Sequence, residues 1–327
     1  MAKFIGRRRN VGVAIEGTRG TPATPVYFTP FASWSFDQKT DTVQSNAGLG
    51  KIEDVSGHYI VGQRAEGIIT DQFYDKFLGA VLKALLGSVS SSLAGGEAAV
   101  WEHTYTLSQI NQHPSLSIYC DDPNGAYLFP MGMIDSLTIE IKPNDFVQYE
   151  IGLKAKGARD WTTVSGVYTS LGKQFLQQHL TFKLAAAVGD LAEASAIDLK
   201  SLTLKFNKNV EIENSLGTVQ PIDVINQQFG ITGEIIVDRS ADTYRNYMIQ
   251  GTQRAMQINL LHPDTIGNAE KTELDLKFPK VHFHEWEQNS DLDKLVEETI
   301  PFTCHRDLPN DLDSISTCLL TNTIESY

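Results

Sequence analysis

The sequence predicts a mainly β protein with a few helices, built as two related tandem domains that each pack one helix against a sheet. Three observations lead to this fold class. Apolar and polar residues alternate along many short segments, each half contains one segment with helical periodicity, and both halves show the same order of elements.

The strand signal is clearest in the middle of the chain. Leu137, Ile139 and Ile141 alternate with polar residues, and the segment 147–153 shows the same alternation. A period of two places one set of side chains on a buried face and the other in solvent. The residues between them, 142–145, read Lys-Pro-Asn-Asp, which is typical of a hairpin turn.

One helix is predicted in each half. In the first, Asp71 is a candidate N-cap for a helix with an apolar face that ends at Gly87. In the second, Asp238 or Ser240 is the candidate cap, and Gly251 ends the helix.

An internal repeat is the most informative feature. The chain advances by 21 positions from Gly50 to Asp71 and again from Gly217 to Asp238. This spacing aligns residues 66–71 with residues 233–238, so that Ile69 falls opposite Ile236. The shared spacing and element order indicate a duplicated domain, which in one chain behaves as a preformed dimer.

These patterns divide the chain into four parts. Residues 1–32 are rich in Gly, Thr and Pro and predict an extended arm that lies on its own domain or on a neighbouring subunit. Residues 33–157 form the first domain, 158–200 a connecting segment and 201–327 the second domain. Within the first domain, residues 87–99 are small and predict a flexible, solvent-facing loop.

Composition excludes several classes of function. The net charge is -13, which is unfavourable for binding nucleic acid, and the only basic run is Arg7–Arg9. The three cysteines are widely spaced, as expected for reduced thiols in a cytosolic setting. We expect no signal peptide and no membrane-spanning segment.

The search for chemistry yields no catalytic, cofactor-binding or metal-binding residues, and we predict that the chain is not an enzyme and needs no cofactor. His282, His284, Cys304 and His305 are the best metal-ligand candidates, but their spacing matches no known zinc motif. No serine or cysteine lies in a nucleophile motif. The alternative to a structural role is a monomeric β-sandwich binding module, for example one that recognises carbohydrate.

Several stretches, in order, resemble one family. They are 13–25 (Val-Ala-Ile-Glu-Gly-Thr-Arg-Gly-Thr-Pro-Ala-Thr-Pro), 66–67, 101–107, 113–118, 133–138, 208–211 and 320–323. Together they are similar to the major tail tube proteins of long-tailed, siphovirus-like bacteriophages, in their two-domain form.

The resemblance implies a self-assembling structural protein of the virion tail, in which each of the two tandem domains is a β-sandwich or partial barrel with a flanking helix. Subunits would pair strands edge to edge into rings whose inner wall is a continuous β-barrel, and stacked rings would form the conduit for DNA ejection. Trimeric rings with pseudo-sixfold symmetry are favoured. The implied partners are further copies of the chain, the tape-measure protein, and the tail terminator and distal tail proteins, with transient passage of DNA and no membrane. Assembly would occur in the cytoplasm of the host bacterium.

Two sets of residues are candidates for roles in such a tube. The long loops before the Asp71 and Asp238 strands carry apolar residues that we predict to form ring-to-ring contacts: Leu49, Ile52, Val55 and Tyr59 in one, and Leu216, Val219, Ile222 and Ile225 in the other. Alternation puts Glu140 and Glu150 on polar strand faces, which line either the lumen, where they would repel DNA, or the outer surface.

Overall fold

The computed structural model describes residues 5–30, 33–46, 49–166, 168, 171–290, 292–293 and 295–327. Strands dominate, which confirms the mainly β class. The strands up to residue 161 are β1 (Asn10–Ile15), β2 (Tyr27–Thr29), β3 (Ser33–Trp34), β4 (Asp37–Ser45), β5 (Gly57–Gln72), β6 (Gly87–Leu93), β7 (Trp101–Leu107), β8 (Leu116–Asp122), β9 (Gly125–Ile141), β10 (Gln148–Lys156) and β11 (Arg159–Trp161).

The remaining strands are β12 (Leu180–Ala185), β13 (Ser201–Asn207), β14 (Glu211–Glu213), β15 (Asp223–Ile225), β16 (Gly230–Asp238), β17 (Arg254–Thr265), β18 (Lys271–Phe283), β19 (Glu287–Asn289), β20 (Glu297–His305) and β21 (Thr317–Asn322). The α-helices are α1 (Asp75–Leu86) and α2 (Thr243–Gln250). Short 3-10 turns lie at Gly6–Arg8, Gln177–His179 and Val188–Leu191.

One antiparallel sheet runs through both parts of the chain. Its strand order is β4–β5–β10–β9–β13–β16–β20, and the last strand pairs on its far side with the end of β18 and with β19. We call this the shared sheet. The junction between its two parts is the pairing of β9 with β13.

Two further layers pack against the shared sheet. The first contains β2, β1, β8, the beginning of β9 and β11. The second contains β12, β17, the beginning of β18, β21, β7 and β6. The main apolar core, with members from both parts of the chain, fills the space between these layers, the helices and the shared sheet.

The two parts repeat one pattern of strand pairing. The path β1–β8–β9–β10–β5–β4 is matched by β12–β17–β18–β20–β16–β13, and both β9 and β18 begin in an outer layer and continue towards the shared sheet. The alignment of the repeats predicted from the sequence is wrong by one residue. Buried Ile69 pairs with Ile151, as buried Ile235 pairs with Ile300. The predicted partner, Ile236, points to the other face, because a one-residue shift reverses the sides of a strand.

The helices form, but their predicted caps are wrong. Asp71 is a buried residue of β5, and α1 begins at Asp75, after Tyr74. In the second part the residue before the helix is Asp242 rather than Asp238 or Ser240, and Asp238 ends β16. Nearly every residue of α1 is buried, and Gly87 ends the helix with a φ of 95°, a conformation that favours glycine.

Two segments with weak signals are ordered by their partners. Residues 87–93 of the predicted flexible loop form β6, which pairs with β7 along its whole length. Within the predicted arm, β1 pairs with both β2 and β8, and Val11 and Val13 enter the core. The described part of the arm therefore lies on its own chain. The segment 158–200 contributes β11 to one outer layer and β12 to the other.

Candidate assembly surface

The face of the shared sheet that points away from the core carries both predicted acids. Glu150 pairs with Thr138 of β9, and Glu140 lies two positions further along the same strand, so both side chains share one face. Lys205 of β13 also lies there, opposite Thr138. The Glu140 carboxylate pairs with Lys142 at 2.6 Å, and both side chains are well exposed. This open face is continuous across the junction and carries charges of both signs.

A long hairpin projects from one end of the shared sheet. It comprises the distal parts of β4 and β5 and the turn between them, and we call it the free hairpin, residues 41–61. The predicted contact residues Leu49, Ile52 and Val55 lie in its turn and are exposed, Ile52 fully. Tyr59 lies in β5 rather than in a loop and is also exposed.

The free hairpin exposes more apolar surface than the sequence analysis identified. Val43, Ile60 and Val61 add exposed side chains along its strands. Contiguous apolar surface of this kind usually marks a contact with another molecule.

The corresponding segment of the second part, residues 208–229, folds differently. It forms the small β14–β15 hairpin, whose Val210 and Val224 are buried against Met131 and Met133 of β9. The other four predicted contact residues lie in or beside this hairpin. Leu216, Val219 and Ile222 are exposed, and Ile225 is half-buried in β15. We call residues 208–229 the folded-back segment.

The two apolar segments approach each other where the folded-back segment contacts β5, just beyond the free hairpin. The backbone N–H of Gln63 donates to the carbonyl of Val219 at 2.7 Å, and the Gln220 side chain bridges Gln63 and Gly157. Their outer residues, such as Ile52 and Leu216, are fully exposed.

Arg19, from the start of the chain, holds the folded-back segment in place. Its guanidinium donates to Asp223 at 2.7 Å, to the carbonyl of Val224, and to the carbonyl of His113 at 2.7 Å. Burial would raise the pKa of Asp223, but hydrogen bonds led by that from Arg19 more than offset this, and the pKa is lowered. Asp223 is therefore charged at neutral pH.

Glu16 fixes the position from which Arg19 reaches across. Its buried carboxylate accepts hydrogen bonds from Ser117 at 2.9 Å, Ser115 at 2.5 Å and the backbone N–H of Met131 at 2.9 Å. The N–H of Gly20 donates to the same carboxylate at 2.6 Å. Residues 16–20 of the predicted arm thus clamp both parts of the chain.

A buried lysine lies at the junction. Lys208 Nζ donates to the carbonyl of Ala84 at 2.8 Å, near the C-terminus of α1, where a cation is favoured. Burial, with a smaller contribution from Arg19, lowers the pKa of Lys208 to about 7. The neighbouring cavity, about 390 Å³, is lined by polar groups that include His113 and Arg306.

The structure offers little for chemistry. Within the described residues, no group of three or more His, Cys, Asp or Glu side chains is arranged to hold a metal ion. His282 and His305 lie with ring centroids 6.2 Å apart. All three cysteines are free and buried, and burial raises the pKa of Cys120 to about 12 and the pKa values of Cys304 and Cys318 further. These thiols are protonated and poorly nucleophilic at neutral pH.

Sequence reasoning missed Glu16, Arg19 and Lys208 as structural anchors. A signal existed for the first two, because two opposite charges in a Gly- and Thr-rich segment need partners if the segment is ordered. Lys208 directly follows a strand with three buried apolar residues, so its position gave no sign of burial.

None of the helices in the described part of the chain is long and apolar enough to cross a membrane.

Comparisons with known proteins identify the family of the chain. No curated protein sequence matches the chain significantly. The family described as phage tail tube protein matches residues 6–304. Because that match covers most of the chain, including the junction, the chain belongs to the family of phage tail tube proteins, structural components of the virion tail.

Proposed function

We propose that this chain assembles with copies of itself, edge to edge, into closed rings that stack to form the tube through which DNA leaves the virion, and that it catalyses no reaction. The observation that carries the proposal is the junction. There, two parts with the same strand pattern are joined by β9 and β13 along six residue pairs, from Leu202–Ile141 to Asn207–Ser136. The chain thus contains one example of the contact that repetition would need.

Repetition of this contact uses two different edges and therefore runs head to tail. A head-to-tail contact gives a ring if the rotation closes and a filament if it does not. Two equivalent parts per chain favour a ring of three chains with pseudo-sixfold symmetry. Closure would remove the open sheet edges, which otherwise promote aggregation.

The exposed apolar residues at one end of the shared sheet support ring-to-ring contact as their role. Leu49, Ile52, Val55 and Tyr59 lie on the free hairpin, and Leu216, Val219 and Ile222 on the folded-back segment, beside the half-buried Ile225. Both segments follow the strands that end at this side of the sheet, so one stacked ring can cover both sets.

The open face of the shared sheet is our candidate for the lumen wall, with Glu140 and Glu150 among the residues that DNA would pass. The overall charge of -13 would disfavour adhesion of phosphate groups. The tape-measure protein, and the terminator and distal proteins at the tube ends, are the further partners that we propose, with assembly in the host cytoplasm.

Negative-stain electron microscopy of the purified, concentrated protein tests this function. We expect rings or tubes of uniform width, and their rotational symmetry distinguishes three chains from six. Particles that stay monomeric even after tail-tip proteins are added would refute the proposal and favour a monomeric binding module.

A further inference from the structure

The two outer edges of the shared sheet are open. Among the described residues, β4 pairs with β5 along one edge and has no strand on the other. At the opposite end, β19 pairs with β20 and with no other strand of the described chain. Each edge presents backbone N–H and C=O groups that can add a further strand.

The strand pairings fix which residues of the two parts correspond. A bulge interrupts β8–β9 at Phe129–Gly132 and β17–β18 at Phe278–Val281, so these positions match. The difference in residue number between Phe129 and Phe278 also relates β10 to β20. It matches buried Tyr149, Ile151 and Leu153 with buried Glu298, Ile300 and Phe302.

From these strands the correspondence extends to both open edges. Tyr149 pairs with Ile139, and its counterpart Glu298 pairs with Gln288, so Gln288 corresponds to Ile139. Residues 285–290 are therefore the counterpart of residues 136–141 of β9. On the other side, Phe36 of the segment that enters β4 corresponds to Leu204 of β13 through the pairings of β5 and β16. Both are buried.

We infer that residues 34–39 of one copy pair antiparallel with residues 285–290 of the next copy, in the register of the β9–β13 junction, so that Asp37 lies opposite Glu287. This inference rests on the proposed function and specifies its contact residue by residue. The pair Asp37–Glu287 takes the place of the internal pair Lys205–Thr138.

An unsatisfied group at the open edge supports this assignment. The indole N–H of Trp286 is buried and has no hydrogen-bond acceptor in the described structure. A buried donor without an acceptor is costly, so a contact that supplied an acceptor would be stabilised. The proposed register puts Gln38 of the next copy directly opposite Trp286. The Gln38 side-chain carbonyl accepts one hydrogen bond from the N–H of Ala158 at 3.2 Å and has a second lone pair for the indole N–H.

The register also predicts that the contact between copies is electrostatically weaker than the internal junction. Glu66 lies beside Asp37 on β5, so Glu287 would extend a row of acids across the open face. Like charges directly opposite one another destabilise strand pairing. Arg64 pairs with Asp41 and Glu66, and Lys39 would lie opposite Glu285, which limits the repulsion without removing it.

Cysteine cross-linking tests the register with an internal standard. The variant Asp37→Cys with Glu287→Cys is oxidised after assembly, beside the variant Thr138→Cys with Lys205→Cys, which occupies the corresponding internal positions. The internal pair should close within one chain without increasing its mass. The proposed pair should give covalent multimers that end at the size of the ring.

An out-of-register pair and the unsubstituted chain complete the design. Thr42→Cys with Glu287→Cys places the thiols several residues apart and should give few multimers, and the buried native cysteines should give none. Rings that form while the proposed pair fails to cross-link, or cross-links no better than the out-of-register pair, would overturn the register and leave the proposed function standing. Chains that neither assemble nor cross-link would overturn both.

Neutralising the acid pair gives a second, independent measurement. Glu287→Gln should lower the concentration needed for assembly by about two- to fivefold at low salt, and the difference should shrink as added salt screens the charges. The matched control Glu285→Gln removes an acid that faces Lys39 and should not favour assembly. Equal effects of the two variants would contradict the proposed register.

Discussion

Replacing Arg19 with alanine should detach the folded-back segment from the rest of the chain. The guanidinium is largely buried and holds Asp223 together with the carbonyls of His113 and Val224. Hydrogen bonds to a charged group contribute roughly 1.5–3 kcal/mol each when measured singly, and they are not additive. Because Arg19 and Asp223 retain some exposure, we expect Arg19→Ala to lower the free energy of unfolding by about 2–4 kcal/mol.

Urea denaturation monitored by circular dichroism measures this loss. The matched control is Arg306→Ala, which breaks an exposed ion pair with Asp311 at 2.6 Å and should cost no more than about 1 kcal/mol. A loss below about 1 kcal/mol for Arg19→Ala would show that the clamp is not a stabilising feature. Limited proteolysis supplies a local readout, since a detached segment should be cleaved between residues 208 and 229 before the core unfolds.

Three further predictions concern two buried charged side chains and one fully exposed apolar side chain. Burial is the main cause that raises the pKa of Asp71 to about 6, so the destabilisation from its buried charge is absent below about pH 4 and complete above pH 6. Asp71→Asn should remove on the order of 2–3 kcal/mol of this destabilisation at pH 7.5, which would appear as a flatter dependence of the urea midpoint on pH. An unchanged dependence would contradict burial as the cause. The lowered pKa of Lys208 acts in the opposite sense, since the unfolded state binds the proton more tightly, and stability should therefore rise from pH 7 towards pH 10. Lys208→Met should abolish that rise in calorimetric melting curves, and a rise that persists in the variant would show that Lys208 is not its source. Ile52→Ser should leave the melting temperature within about 2 °C of the parent, because the side chain is fully exposed, yet reduce the length of tubes in electron micrographs; tubes of normal length would remove Ile52 from the ring-to-ring contacts.

The sequence was most informative where a pattern repeats over several residues. Alternation in 136–141 and 147–153 predicted the end of β9 and most of β10. In 136–141 and 148–156 the odd-numbered residues are buried and the even-numbered ones are not, whereas residues 128–134 of β9 are buried on both faces. The helix α1 was predicted by its apolar face and by Gly87. Both signals are local, so one strand or one turn is enough to reveal them.

Features that depend on distant partners were predicted poorly. Asp71 follows an apolar run and precedes a helix, as an N-cap does, but its partners are Thr29 and Tyr149 in other strands. The serines of 88–92 suggested a loop, whereas β7 supplies the pairing that makes them a strand. The repeat was visible in the sequence, yet its register depends on which face each side chain occupies.

The candidate surface shows the same division. Exposed apolar residues such as Ile52 and Leu216 could be predicted from their place in polar, glycine-containing loops. The different fates of the two loops could not, because the folded-back segment is fixed by Arg19, which lies far away in the sequence.

The junction of β9 and β13 has a kinetic consequence for assembly. Because that contact lies within one chain, it forms at an effective concentration set by the connecting segment, of millimolar order for short linkers, and does not depend on how much protein has been synthesised. Only the contact between copies is subject to mass action. In a closed ring built this way, every second contact has formed before any two chains meet, so nucleation should depend on a lower power of protein concentration than for a single-domain subunit.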